Sequence, residues 1–530
     1  MSPGLLLLTV AGARSFCVLA QAGGTVRAAA PAQIRLMTPA LQVGPPSLPL
    51  AAPPGLQGSV PSLPRPDLPS TLPAVSPAQP VVRSALPESR AWALPDGGPI
   101  LGRFLNPEGS DFGGRRYIDL MNPTALRLAS SDGRGRVFIW VRAVRAGYKT
   151  QVAEDGSIRV QDYLSDTLLF ELKDGKPAFI ERALESEPEK NILLEDARVS
   201  SYRVKGRDPK TGRFRAEQQM LLGMTVHARH GGMAAPSSRN GFARLFFDAG
   251  GVPRIERDAD FRPVIALLSP EPFVRDGPKD HSAVVDAKNG LIMTNAKGEL
   301  RLHSRHRYQA EDPRLPDGFT PAPYAEQSFP LPAGFPASQP DWPALMSRLA
   351  EHETLRSDRL EEHYAAAKGD PGALKGLGPG AQPVRIRRRG GRLFVSEGWG
   401  FPWVEAGALP RPARAHLKNG RSYFLGFDHE IRTLRMGGKT KRVYTLSVKL
   451  WDPSLDKVLA YGADLVQPSR PWETENPGIP DLWHVYPTGR VLNQDGTVDT
   501  WEGAADANVV RRRWSLPTLL AELRAHPLPK

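Results

Sequence analysis

From Pro99 onward the chain is written in short β-type runs, and no other feature narrows its fold as much. The runs are Arg136–Arg142, Thr167–Leu172, Ala243–Asp248, Gly298–His303, Arg392–Val395 and Arg442–Lys449. Gly, Asp, Asn and Pro punctuate them. β-branched and aromatic side chains suit a pleated, half-buried surface, and turn residues at the ends keep each strand short. Many short strands with turn signals predict an all-β sandwich, barrel or propeller. At 530 residues and 40% hydrophobic, the chain can hold one large β domain with appendages.

The appendages differ in texture. Residues 1–22 carry an apolar stretch and an Ala20-x-Ala22 small-residue site, which predicts a signal peptide and export to a periplasm or the outside. The positively charged start is missing, and Arg14 interrupts the apolar run. Between Pro31 and Asp96 stand 16 prolines, each lacking the N–H that a helix or sheet ladder needs. Residues 23–96 are therefore expected to be a disordered, semi-rigid linker, and 97–530 the β domain. Inside that domain Asp341 can cap an apolar pattern at Leu345, Met346 and Leu349 that runs on through Leu360 and Tyr364. This predicts a partly helical insertion over 313–389. A last helix is expected over Leu516–Leu523.

Several functions are made less plausible. No stretch approaches the roughly 20 apolar residues of a spanning helix. Cys17 is the sole cysteine, so neither an internal disulfide nor a cysteine metal cage can form. The pairs His227/His230 and His303/His306 lack a well-spaced third ligand, so they read as strand-end histidines and no metal is expected. A net charge of +13 favours anionic partners such as phosphate, acidic glycans or nucleic acid. The basic runs Arg385–Arg389 and Arg511–Arg513 lack interleaved aromatics, so they read as solvated faces rather than a nucleic-acid surface.

Polar clusters recur along the β region. Met121-Asn122-Pro123 precedes a strand ending at Arg142. Leu194-Glu195-Asp196-Ala197-Arg198 comes next, then Gln219–Val226. Lys279-Asp280, Val285–Gly290 with Lys288, and Leu302-His-Ser-Arg305 follow. Gly426-Phe-Asp-His429, Leu450–Pro453, Trp472-Glu473, Pro487-Thr488-Gly489 and Gly503-Ala-Ala-Asp506 complete the series. One polar cluster per large repeat is what a propeller active site requires, because each blade delivers side chains to a common funnel.

In order and spacing these elements resemble glycoside hydrolase family 130, the β-mannoside phosphorylases and related β-mannosidases. The resemblance covers about Pro99 to Leu523 without the insertion. It departs from the family pattern at Ala197, Asp286-Ala287, Glu430 and Trp501-Glu502. It implies a five-bladed β-propeller and inverting phosphorolysis of a β-mannoside oligosaccharide to mannose 1-phosphate. Phosphate is then a co-substrate, and no other cofactor is implied. The alternatives are an inverting β-mannosidase that uses water and a glycan-binding propeller without catalysis. A homo-oligomer is possible on any of these readings.

The resemblance makes Asp196 the acid, thought to act through a sugar hydroxyl. It makes Asp506 a sugar-hydroxyl ligand, and His429 a phosphate or sugar contact. Phosphate needs converging cations, for which Arg142, Lys288 and Arg305 are the candidates, with Asn122 as a neutral donor. Arg307 competes with Arg305 for one position. On an extended strand Glu195 and Asp196 point to opposite faces, and Arg198 shares the face of Asp196. A neighbouring Arg lowers a carboxyl pKa, the wrong direction for an acid.

Overall fold

The computed structural model describes residues 93–94, 98–128, 135–152, 158–187, 192–207, 214–228, 237–268, 284–311, 319–321, 325–331, 355–356, 373–398, 402–436, 439–466, 468–479 and 482–525, all within one compact unit. The described residues are mostly β-sheet, and each of the six β-type runs lies in or overlaps a strand. The closing helix is present at Leu516–Glu522. Among the described residues no helix is long and apolar enough to cross a membrane.

Five strands organise the molecule. They are β1 (Arg115–Leu128), β2 (Ile192–Arg207), β3 (Val284–Thr294), β4 (Ala373–Arg389) and β5 (Leu482–Leu492). Each pairs antiparallel with a strand that follows it in the chain: Arg136–Arg145, Phe214–Ala228, Leu300–Glu311, Ser422–Met436 and Val498–Ala504 respectively. Further strands extend each sheet outward. The fourth and fifth sheets join because Arg442–Tyr444 runs parallel to Leu482–His484. Pro99–Gly102, from the start of the domain, pairs with Asn508–Trp514 near its end. That pairing ties the two ends of the domain together.

Apolar residues fill the spaces between sheets. Leu126, Phe138 and Trp140 of the first sheet pack with Leu194, Leu222 and Met224 of the second. The first sheet also packs, through Tyr117, Leu120 and Ile139, on Val491, Trp501 and Val509 of the fifth. Met293 of the third packs with Phe424 and Trp451 of the fourth, and Leu425 and Val448 of the fourth with Val485 and Val498 of the fifth. Burying one such side chain stabilises by about 1.5–3 kcal/mol. Hydrogen bonds cross between sheets as well. Thr124 Oγ1 accepts from Val199 N at 2.8 Å, Thr294 Oγ1 accepts from Arg203 N at 2.9 Å, and Thr488 Oγ1 donates to Pro123 O at 2.7 Å.

Two glycines allow these strands to close in. A Cβ on Gly489 of β5 would lie 2.6 Å from Ala125 N and 2.7 Å from Thr124 Cα of β1. A Cβ on Gly380 of β4 would lie 2.5 Å from Pro487 O of β5 and would overlap Phe427 O. Only a residue without a side chain fits between backbones at that distance.

Some expectations are corrected. The predicted helix over 341–364 lies mostly outside the described residues, and where it is described, at Leu355–Arg356, the chain is strand. Ala373–Arg389 is the long strand β4 and not part of an insertion. Ala93–Leu94, expected in the linker, pairs with Arg513 and Trp514; the leader and the rest of the linker lie outside the described residues. The basic runs are not simply solvated. Strand alternation buries Arg385 to 5% exposure and Arg512 to 7%, and Arg512 pairs with Glu473 and Glu502.

Candidate functional site

The site is built on irregularities in the leading strands. Pairing slips between Met121 and Thr124 in β1, between Glu195 and Arg198 in β2, and between Lys288 and Leu291 in β3. At each slip one residue adopts a left-handed backbone: Asn122 (φ 47°), Asp196 (φ 49°) and Asn289 (φ 60°). Asp506, in the turn between Val498–Ala504 and Asn508–Trp514, has φ 54°. Asn and Asp tolerate this region better than other side-chain-bearing residues, yet each still costs on the order of 1–3 kcal/mol. Four such residues gather at one site, which is where strained backbone concentrates when it serves function.

The bulge in β2 overturns the opposite-face expectation. Arg142 Nη2 donates to Glu195 Oε1 at 2.8 Å, and its Nη1 donates to Asp196 Oδ1 at 3.2 Å. Both carboxylates therefore meet one guanidinium, because the left-handed Asp196 breaks the two-residue alternation. Asn122 Nδ2 donates to the same Asp196 Oδ1 at 2.7 Å. Arg198 does not bond the Asp196 carboxylate. Its Nη1 donates to Asp196 O at 2.8 Å, its Nε to Gly380 O at 3.0 Å, and its Nη2 to Tyr486 Oη. Buried at 1% exposure, Arg198 ties β2, β4 and β5 together beneath Asp196.

Contacts continue from residue to residue. Glu195 Oε2 lies 2.7 Å from His227 Nε2 and 4.0 Å from Lys288 Nζ. Lys288 and Arg305 are directly opposed across the pairing of β3 with Leu300–Glu311. Arg305 Nη1 lies 3.2 Å from His429 Nε2. An Arg N–H can only donate, so Nε2 of His429 accepts and its proton sits on Nδ1. His429 packs edge-on against Tyr486 at 4.3 Å between ring centroids. Tyr444 sits 4.7 Å from the His484 ring, and His484 Nε2 lies 3.9 Å from Asp506 Oδ1.

Charge is divided across this network. Burial pushes the Asp196 carboxyl up, but Arg142, Arg198 and the Asn122 hydrogen bond outweigh it and leave the pKa below the ordinary value. Glu195 lies well below its ordinary value, because Arg142, His227 and Lys288 overcome its burial. Burial, with Arg305, Arg198 and Lys449 nearby, keeps His429 neutral. His484 is also held below its ordinary value by burial, against the opposing pull of Asp506 and Asp196. Arg142 thus bonds two carboxylates, Lys288 stands 4.0 Å from Glu195, and Arg305 stands beside the neutral imidazole of His429.

Arg142→Met is expected to expose how the carboxylates are held. Breaking a buried pair by removing one partner costs about 3–5 kcal/mol. In the wild type both carboxyls have depressed pKa values, so their contribution is full above the ordinary carboxylate range and is lost as pH falls through the folded values. In the variant the depression shrinks, because only His227 and Lys288 still oppose the burial of Glu195, and only Arg198 and Asn122 that of Asp196, so both carboxyls protonate at a higher pH than in the wild type. The stability gap between the two proteins, read from urea unfolding, should therefore narrow from pH 7 to pH 4. A constant gap would contradict this account.

All seven expected residues, Asn122, Arg142, Asp196, Lys288, Arg305, His429 and Asp506, fall in this connected network. Asn122, Asp196 and Lys288 lie on leading strands, Arg142, Arg305 and His429 on the strands paired with β1, β3 and β4, and Asp506 in a turn. The Arg307 side chain lies outside the described residues. Sequence reasoning assigned no role to Glu195, His227, Asn289, Tyr444, His484 or Tyr486. The i, i+2 spacing of His484 and Tyr486 was the available signal for those two. The Asn289 amide is 1% exposed, and neither of its polar atoms has a partner among the described residues. Such a group in an interior calls for a water or a ligand. Among the described residues no cluster of three His, Cys, Asp or Glu could hold a metal ion.

No known protein family matches the chain, and no curated protein matches it. Solved structures do resemble it. A mannose phosphorylase from Leishmania mexicana in complex with a phosphate ion is 14% identical with a TM-score of 0.38, over 78% of this chain and 89% of that one. A β-1,2-mannobiose phosphorylase from Listeria innocua in complex with β-1,2-mannobiose is 12% identical with a TM-score of 0.39, over 80% and 97%. A GDP-Man-dependent mannosyltransferase from Leishmania mexicana is 14% identical with a TM-score of 0.37, over 75% and 86%. At these identities and TM-scores the likenesses are too remote to transfer an activity.

Proposed function

We propose that residues 97–530 form a five-bladed β-propeller, one blade on each of β1–β5, that phosphorolyses β-mannosides with inversion. Support for the blades comes from the neighbouring sheets that pack on one another and from the closure of the last sheet by Pro99–Gly102. On this reading the leader directs export and the linker before Ala93 acts as a spacer.

One observation carries the reaction: beyond the Arg142–carboxylate cluster, Lys288 and Arg305 oppose each other across one strand pair, Lys288 4.0 Å from Glu195 and Arg305 beside neutral His429. Asn122, Asp196 and Asp506 offer hydrogen-bond partners to a sugar. Lys288 and Arg305 offer an anion cradle. A phosphate oxygen bonds to the anomeric carbon as the glycosidic C–O bond breaks. The leaving oxygen takes a proton delivered by Asp196, directly or through a sugar hydroxyl. The hydrogen phosphate brings the replacement proton, so Asp196 ends as it began. In the free site Asp196 is ionised, which suits a sugar ligand but not an acid. Entry of a phosphate dianion beside it favours its protonated form, because a like charge raises a carboxyl pKa. The co-substrate thereby prepares its own acid. The choice of mannose rests on the sequence resemblance.

A second reading is hydrolysis. It is favoured by Glu195, an ionised carboxylate backed by His227, which could accept a proton from an attacking water. Incubation with β-1,4-mannobiose, with and without phosphate, decides between them. Mannose 1-phosphate formed only with phosphate is expected. Free mannose at equal rates in both would establish hydrolysis, and no product in either would remove both readings.

A further inference from the structure

We propose that an aromatic track running from Arg142 to the surface binds the distal residues of a longer oligosaccharide. The proposal rests on the reading of the site as a sugar site. Arg142 lies over the Tyr163 ring at 5.3 Å, and Tyr163 meets Tyr148 edge-on at 5.3 Å. Arg103 lies over the Tyr148 ring at 5.8 Å and donates to Tyr148 Oη at 2.9 Å. The next residues, Phe104 and Leu105, are 48% and 55% exposed. Phe104 meets Trp472 edge-on at 5.5 Å, and Arg470 lies over Trp472 at 5.5 Å.

This outer end is fixed to the turn that carries Asp506. Asn508 Oδ1 accepts from Phe104 N at 2.9 Å, and Asn508 Nδ2 donates to Trp472 O at 3.1 Å. Arg103 N donates to Ala507 O at 3.1 Å, and Asn476 Nδ2 donates to Ala505 O at 2.9 Å. Two of these bonds fix the Arg103–Phe104 backbone, and two the segment of Trp472 and Asn476, to the turn of a site residue. A lone exposed Phe or Leu is ordinary, but adjacent exposed apolar groups beside a site mark a binding surface. Flat rings flanked by Arg103 and Arg470 match a pyranose, which presents an apolar C–H face and a rim of hydroxyls. Rigid rings held by backbone bonds bind such a face at little entropic cost.

The test is a chain-length series of β-1,4-manno-oligosaccharides from two to five residues, with kcat/KM read for the wild type, Phe104→Ala and Trp472→Ala. Both side chains can be removed without touching the hydrogen bonds, which use backbone atoms at these two positions. An aromatic contact of the usual strength corresponds to about 3- to 10-fold in affinity. The preference of the wild type for the longest over the shortest substrate is expected to fall by about that factor in each variant. An unchanged preference in both variants would overturn the track. Should the wild type cleave none of them, the fault lies with the proposed function, and the track is read separately. Tryptophan fluorescence titration of wild type and Phe104→Ala with cello-, xylo- and manno-oligosaccharides should then show length-dependent binding only in the wild type. Binding independent of length, or absent from the wild type, would overturn it.

Discussion

Asp196→Asn is expected to stop turnover with phosphate and with water alike. Either nucleophile still needs the leaving oxygen protonated, and an amide cannot supply the proton. A positioned general acid contributes about 10²–10⁴-fold. The variant should fold, because the new Oδ1 can still accept from Asn122 and Arg142 as the carboxylate does. The loss should also depend on the leaving group. A 2,4-dinitrophenyl β-mannoside departs without protonation, so its rate should fall far less than that of mannobiose. Equal losses on both substrates would mean that Asp196 positions the sugar and donates no proton.

Lys288→Ala is expected to strike the phosphate-dependent rate. Removing one preorganised cation from a partly desolvated oxyanion site costs on the order of 2–4 kcal/mol of transition-state stabilisation. Lys288 is the better target than Arg142, which bonds both carboxylates, whereas Lys288 stands 4.0 Å from Glu195 alone. The phosphate KM should rise and kcat fall, with the affinity for mannobiose changed less. Initial rates over a phosphate series measure both. Full activity in Lys288→Ala, indifferent to added phosphate, would point to hydrolysis with Glu195 as the base.

The two predictions bear on one difference between the two carboxyls of β2. Glu195 is wrapped by Arg142, His227 and Lys288, so it stays ionised. The Asp196 carboxylate bonds Arg142 and the neutral amide of Asn122, with the Arg198 charge acting from beneath, so it has fewer charged partners than Glu195 and an arriving anion can change its protonation more easily. Adjacent residues thereby acquire distinct tasks from their surroundings.

The β class was legible from Pro99 onward because β-branched and aromatic runs bounded by turn residues carry their own period. Asn122, Asp196, Lys288 and Asp506 were singled out by the order of motifs that resembles glycoside hydrolase family 130, not by a local pattern, and the structure brings them into one network. The closing helix at Leu516–Glu522 was legible from its own local pattern. What the sequence could not supply was direction. Period-two alternation sent Glu195 and Asp196 to opposite faces, and a left-handed backbone at Asp196 brought both onto Arg142. A bulge depends on the pairing partner, and a partner far along the chain is not encoded in the local pattern. The same holds for charge. Arg142 looked like a phosphate ligand until its carboxylate partners, 53 and 54 residues away, were in view. Arg198 looked like a salt-bridge partner of Asp196, yet it bonds a carbonyl 182 residues distant. Residue chemistry and strand-forming tendency are local and were set by the sequence itself. Which cations remain available and which carboxylates stay ionised depend on desolvation and on neighbours at a few ångströms, and those only the tertiary structure assembles.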